Sequence, residues 1–363
     1  MNTLSILGWG EPQQRDFSSI TAEENSSDLI PARVAAIDRG HLLALGALPD
    51  PLSPLLVPCR FGGGLDTPAV GDWVLLRRAQ QAWTVFGLLP RTSLFVRKEA
   101  GRSSGAQPVA ANVDRVLVVT AVGDDLSPGR IERFVAAIHA GGAEPLIVIN
   151  KADRASDTQA VIQTVRAAAP ETELVLTSAI AEGGADVLLD LLPPPMTVAL
   201  VGSSGVGKTT LLNRLLGGGD RPTGEARASD DKGRHTTTRR ELSVTPSGLL
   251  VIDTPGMREL GLWDASSGLA AAFPEIVELA AACRFTDCAH QSEPGCAVRG
   301  AVLAGSLPES RLARYERLVR EIESNDARAD EAQNRAKKQR WKAIHKGQRD
   351  RLKLERKLGL KGW

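Results

Sequence analysis

Tyrosine is almost missing from this chain, with one in 363 residues, and with seven Phe and six Trp the aromatics reach only 4%. A surface that reads bases by stacking has few side chains to draw on. Cysteines number four, and a disulfide is not expected among them in a cytoplasmic chain. No apolar run approaches the roughly 20 residues that span a bilayer, and the opening Met-Asn-Thr-Leu-Ser-Ile-Leu lacks the basic stretch and apolar core of a secretory signal. These absences lead to the expectation of a cytoplasmic protein with no membrane partner. Net charge is also scarce, +1 from 44 basic and 43 acidic side chains, but it is unevenly placed. Residues 334–363 hold twelve Lys or Arg against two acids, a local balance of +10. Such a tail suits contact with phosphates, or a solvated amphipathic helix that raises solubility.

What is present describes several domains. A content of 42% hydrophobic and 24% charged residues excludes a wholly disordered or fibrous chain, and the length leaves room for two or three domains. Residues 1–29 are polar without a sustained apolar period and are expected to form a flexible arm. Over 30–97, short apolar runs between Gly and Pro turns predict a small all-β barrel, in which Cys59 is a buried hydrophobe. Gly101 to Gly105 has the composition of a linker. From 105 to 263 strand and helix patterns alternate, which is the signature of an α/β domain built on a parallel sheet. A partly helical, cysteine-bearing domain over 264–325 and a basic helical tail over 326–363 complete the division.

The strongest motif is Gly202-Ser203-Ser204-Gly205-Val206-Gly207-Lys208-Thr209, set between a strand pattern at Thr197–Val201 and a helical one beginning at Thr210. Its glycines let backbone N–H groups face the phosphates of a nucleotide at a helix N-terminus. Lys208 adds a point charge, and Thr209 offers a hydroxyl to Mg²⁺. Asp253 ends another strand run in Val-Ile-Asp-Thr-Pro-Gly; it suits Mg²⁺ held through water, with Gly256 presenting an amide to a γ-phosphate, although any strand can end in such a turn. Asn150-Lys151-Ala152-Asp153 follows a third strand. The Asp153 carboxylate accepts two hydrogen bonds from guanine N1–H and N2–H₂ in a geometry adenine cannot match, Asn150 braces the loop, and the Lys151 stem lies along the base. Thr177-Ser178-Ala179 ends a fourth strand and offers an amide to guanine O6; ordinary turn chemistry is the alternative for both strings.

Between the phosphate loop and Asp253 lies Asp231 to Arg240, a polar stretch suited to a switch loop. Thr237 is the expected Mg²⁺ ligand of this stretch, with a register uncertainty of one residue. Met257 follows Gly256, and a thioether cannot orient water as an amide does, so His235 is the nearest candidate to polarise the attacking water. A solvent-exposed loop histidine is the alternative. Finally, Cys283, Cys288, His290 and Cys296 supply three thiolates and an imidazole, the donor set of a closed structural Zn²⁺ site.

These pieces are similar to the motifs of the GTPase superfamily, but in permuted order: the Asn-Lys-Ala-Asp and Thr-Ser-Ala strings precede the phosphate loop. A parallel sheet tolerates that order because its loops converge at the strands' C-terminal ends wherever the chain is cut and rejoined. The whole arrangement, including Val70-Gly71-Asp72-Trp73-Val74, Lys232 to Thr238 and the zinc spacing followed by Ala297-Val298, resembles the RsgA (YjeQ) family of small-subunit-dependent GTPases. The resemblance implies an N-terminal OB-fold barrel, a circularly permuted P-loop GTPase domain and a C-terminal zinc domain. It further implies Mg²⁺-dependent GTP hydrolysis to GDP and phosphate, stimulated by the 30S subunit and its 16S rRNA late in small-subunit maturation. DNA is not an expected partner, and a monomer is expected off the ribosome. Carried onto this chain, the nucleotide set is Asn150, Lys151, Ala152, Asp153, Ser178, Ala179, Gly202 to Thr210, Thr237, Asp253 and Gly256, with Lys208 and His235 in catalysis. Met257 stands where Phe is common in the family.

Overall fold

In the computed structural model, residues 3–38, 40–59, 67–79, 82–98, 106–123, 125–217, 241–253 and 266–324 are described. His235, Thr237, Gly256, Met257, the 101–105 stretch and the basic tail lie outside the described residues. The N-terminal segment is the first departure from expectation. A 3₁₀ turn, Thr3–Leu7, leads into helix α1, Glu11–Glu23, so the segment is an ordered part of the fold rather than a flexible arm. Leu4, Leu7 and Trp9 are buried, and Trp9 meets Trp73 edge-on at 4.8 Å between ring centroids. Leu4 and Leu7 sit in the short turn and Trp9 just after it, where helical periodicity has no length in which to show itself.

Five antiparallel strands follow: β1 (Leu29–Asp38), β2 (His41–Leu45), β3 (Leu55–Pro58), β4 (Trp73–Ala79) and β5 (Ala82–Leu88), in the order β3-β2-β1-β4-β5. They enclose a core of their own, with Ala32, Val34, Leu42, Ala44, Val57, Cys59, Val74 and Leu76 inside. Burial pushes the Cys59 thiol up to about 11, consistent with an inert small hydrophobe.

The next two strands, β6 (Leu94–Lys98) and β7 (Ala106–Ala111), pair with each other as antiparallel strands. The expected linker therefore joins two paired strands, not two domains. Gly and Ser punctuate both kinds of connection, and local composition does not separate them. The Leu94 amide donates to Gly141 O at 2.8 Å. A Cβ at Gly141 would come 2.5 Å from the Phe95 ring, so this hairpin is packed against the α/β domain.

That domain comprises β8 (Arg115–Ala121), α2 (Pro128–Ala140), β9 (Glu144–Asn150), α3 (Thr158–Ala168), β10 (Leu174–Leu176), α4 (Val187–Leu191), β11 (Thr197–Val201), α5 (Lys208–Leu215), β12 (Glu241–Val244) and β13 (Leu250–Asp253). Strands β10, β9, β8, β11 and β13 are parallel in that order, and β12 runs antiparallel to β13. Successive residues of a strand point to opposite faces. Val116, Val118, Ile147 and Ile149 accordingly share a core with α2 and α3, while Leu117, Val119, Leu146 and Val148 share one with α4 and α5. The five-strand unit β1–β5 and this domain are not independent sheets. Ala36 of β1 pairs with Glu241 of β12, and a bulge between Val34 and Ala36 lets the ten-residue β1 serve both, giving one sheet of eleven strands.

Arg33 ties the same junction from inside. Its guanidinium donates to Gly71 O at 3.2 Å, Asn112 O at 3.0 Å, Thr197 Oγ1 at 2.9 Å and to Leu7 O. Burial lowers its pKa to about 10, opposed by Asp114 and Asp72, so the group is still a cation at neutral pH.

The C-terminal module carries α6 (Ser266–Ala272), α7 (Pro274–Ala281), α8 (Ala297–Leu303) and a helix over 309–324. Helix α6 crosses α2 with backbone nearly touching backbone: a Cβ at Gly268 would stand 1.8 Å from Ala136 O. A buried charge cluster backs that contact. Glu132 of α2 is fully buried and accepts from Arg311 at 2.6 Å and from Arg314 at 2.8 Å. Arg311 also reaches Glu275 at 2.7 Å and the carbonyls of Ala168 and Ala272, each at 2.7 Å. Among the described residues no helix is long and apolar enough to cross a membrane.

Candidate functional site

The expected nucleotide loops meet at one edge of the sheet because the strands that carry them are parallel and nearly level. Ala121 of β8 pairs with Asn150 of β9, Ile149 with Leu176 of β10, Val118 with Val201 of β11, and Ala199 with Ile252 of β13. Asn150, Thr177, Gly202 and Asp253 therefore lie at the C-terminal edge, the position at which open α/β sheets bind ligands.

The phosphate loop turns on glycine. Gly202 has φ 140°, and a Cβ there would lie 2.1 Å from Val119 O, so the loop is seated directly on β8. Gly207, at φ 99°, caps α5, and its missing Cβ makes room for the Asn150 side chain at 2.2 Å. Lys208 Nζ donates to Gly202 O at 2.8 Å and to Ser203 O, which places the ammonium inside the loop. Thr209 and Thr210 lie in the first turn of α5, half-buried.

Asn150 is the residue that makes these loops one site. It is 2% exposed. Its Nδ2 donates to Val206 O at 2.8 Å, while its Oδ1 accepts from the Ala179 amide at 3.0 Å and the Thr177 hydroxyl at 3.3 Å. Lys151 adopts a left-handed φ of 59° and donates from Nζ to Gly205 O at 2.8 Å. A short 3₁₀ turn, Ala152–Arg154, then places Asp153 against the Ser178 hydroxyl, 2.5 Å from Oδ1. One detail differs from the sequence reading. The amides of Thr177, Ser178 and Ala179 donate to Ile149 O, Gly184 O and Asn150 Oδ1, so this strip holds the Asn150–Asp153 loop in place.

Sequence reasoning missed Arg130. It reaches the loop from the first turn of α2, where its Nη1 donates to the Ser203 hydroxyl and lies 3.2 Å from Asp125. The available signal was a base at a helix start, where the helix dipole favours acids.

At the other end of the chain, the ligand atoms of Cys283, Cys288, His290 and Cys296 all lie within 4.8 Å of one another. Cys283 Sγ is 3.9 Å from Cys296 Sγ and 3.7 Å from His290 Nδ1, and Cys296 Sγ is 3.5 Å from the same nitrogen. A tetrahedron with Zn–S arms of about 2.3 Å has edges of about 3.8 Å, so the spacing fits zinc, whereas a disulfide needs about 2.05 Å. His290 takes a left-handed φ of 59°, and Cys296 caps α8. Burial works to raise the Cys283 thiol, but the amides of Val298 and Ala297 and the neighbouring thiols outweigh it and lower its pKa. Cys288 is pushed up to about 11, first by burial and then by the thiols of Cys296 and Cys283.

Several known proteins are similar to this chain over most of its length. The family model described as RsgA GTPase matches residues 88–263. A model described as ABC transporter matches 191–361, a span that contains the phosphate loop common to many nucleotide-binding proteins. A protein of Opitutus terrae named small ribosomal subunit biogenesis GTPase RsgA is 41% identical over 368 residues, covering 97% of this chain and 99% of that one. One of the same name from Streptomyces coelicolor is 41% identical over 344 residues, covering 90% of each. Among solved structures, YjeQ from Thermotoga maritima is 26% identical with a TM-score of 0.59, covering 81% of this chain and 98% of that one. YloQ, titled a circularly permuted GTPase, is 28% identical with a TM-score of 0.58, covering 82% and 96%.

Proposed function

This chain belongs to the RsgA GTPase family, and from that premise we propose that its GTP hydrolysis is stimulated by the 30S ribosomal subunit and serves late small-subunit maturation in the cytoplasm. The observation that carries this reading is Asn150, one side chain bonded at once to the phosphate loop and to the strip that holds Asp153. A pocket joined in this way suits a ligand with a guanine at one end and a triphosphate at the other. Asp153 takes the base edge, with Lys151 and Ala152 along its face and Ser178 and Ala179 beside it. The loop from Gly202 to Gly207 presents amides to the phosphates, and Lys208 neutralises charge that develops on them. Mg²⁺ accompanies GTP, with Thr209, Thr237 and Asp253 as its side and Gly256 at the γ-phosphate. His235 orients the attacking water.

The five strands β1–β5 are read as an OB-fold, supported by their order and enclosed core. This barrel, the zinc module and the basic tail are the surfaces for 16S rRNA, with phosphate contacts supplying most of the affinity. Zinc would be held by Cys283, Cys288, His290 and Cys296, where it serves as a structural cross-link.

Purified 30S subunits are expected to raise GTP turnover well above the intrinsic rate, while 50S subunits do not. Equal stimulation by both, or by 50S alone, sinks the assignment. The His235→Ala variant should lose stimulated turnover while retaining GTP affinity; unchanged turnover removes His235 from the mechanism. Chelation of zinc should accelerate amide exchange over residues 283–296 and leave GTP affinity nearly intact. Loss of GTP binding on chelation would show that the two sites are not independent.

A further inference from the structure

Arg130 belongs to none of the nucleotide motifs, yet it touches the phosphate loop. It is the third residue of α2, in a first turn that contains no acidic residue. A cation there faces helix amides that already carry partial positive charge. Two features offset that cost: Asp125 at 3.2 Å, and a neighbouring loop of the kind that receives an anion. Ser203 is bonded twice. Its hydroxyl accepts from Arg130, and its carbonyl accepts from Lys208 Nζ. The base side of the loop is held separately, by Asn150 at Val206 O and by Lys151 at Gly205 O. Arg130 thus secures the entry of a loop whose exit is secured by other residues.

The same turn of α2 is fastened on its other side. Glu132 binds Arg311 and Arg314, and Arg133 binds Glu321 at 2.6 Å. Within four residues, one helix reaches the phosphate loop in one direction and the 309–324 helix in the other. We propose that Arg130 is a positioning residue for GTP hydrolysis. Through Ser203 it holds the phosphate loop in the shape that presents Lys208 to the phosphates, from a helix turn braced against the C-terminal module. The inference rests on GTP occupying this loop as set out above. Positioning matters most when phosphate charge shifts in the transition state, so the effect belongs in kcat. Guanine selection, held by Asn150 and Asp153 on the other side, is untouched.

The test is steady-state GTP turnover by the full chain and by Arg130→Ala, Arg130→Lys, Ser203→Ala and the Arg130→Ala/Ser203→Ala pair. Arg130→Ala should lower kcat about fivefold, with KM changed less than about twofold and the preference for GTP over ATP retained. Arg130→Lys should recover most of the loss. Ser203→Ala should reproduce it, and the double variant should be no worse than either single one. Unaltered kcat in Arg130→Ala overturns the inference, as do losses that multiply in the double variant or a matching loss of guanine preference. If the parent chain itself turns over no GTP, the underlying reading falls and the inference with it; normal parent turnover beside an unaffected Arg130→Ala removes the inference alone.

Discussion

The Asp153→Asn variant is expected to prefer xanthosine triphosphate to GTP, reversing base selection by about three orders of magnitude in the ratio of affinities. The carboxylate suits guanine because both donors of the base edge, N1–H and N2–H₂, find acceptors. An amide keeps one acceptor and brings its NH₂ against the guanine amino group, leaving polar groups unpaired in a partly desolvated site. Xanthine has a carbonyl at that place, and the Asn NH₂ donates to it. The loop should survive the change, because the Ser178 hydroxyl that now lies 2.5 Å from Asp153 Oδ1 can still donate, more weakly, to an amide oxygen. Competition binding with the two triphosphates measures the ratio. If discrimination is unaltered, the base is bound elsewhere.

Glu132→Ala should cost about 3 to 5 kcal/mol of stability, the range for breaking a buried ion pair by removing one partner. Glu132 is 0% exposed and Arg311 is 3% exposed, so the charge that the lost carboxylate balanced stays out of bulk water. Arg311 would retain Glu275, two carbonyls and the Phe273 ring, 4.2 Å beneath its guanidinium, which argues for the lower end of that range. A fall of roughly 10 °C in melting temperature follows for a domain of this size. Arg133→Ala is the matched control. Its pair with Glu321 has side chains 42% and 32% exposed, and its loss should cost under about 1 kcal/mol. Melting curves in which the two variants coincide would show that the cluster does not hold α2 to the C-terminal module.

The sequence revealed those parts of the site that are contiguous or that close a strand. Gly202 to Thr209 is a single string, and its conformation follows from where glycines permit turns. Asn150 and Asp153 were legible because the apolar run Leu146 to Ile149 ends just before them, and the bracing role read for Asn150 is what its bonds show. Arg130, Glu132 and Arg33 were not legible. Their partners lie 73, 179 and 164 residues away, and no local period encodes a bond across that distance. Leu4, Leu7 and Trp9 read only as isolated apolar residues for a different reason: a five-residue turn and the residues just after it are shorter than the window in which amphipathic spacing becomes visible. The paired strands β6 and β7 were mistaken for the flanks of a linker because glycine and serine punctuate both.

The pairing of Ala36 with Glu241 also bears on solubility. Without β1, strand β12 would be the rim of the nucleotide-binding sheet, with the main-chain groups at Glu241 left open to a second copy of the chain. The five-strand unit β1–β5 acts there as a built-in stopper. A fragment cut to begin at β8 would bare that rim, together with the Thr197 hydroxyl that Arg33 now occupies, and should self-associate more strongly than the intact protein.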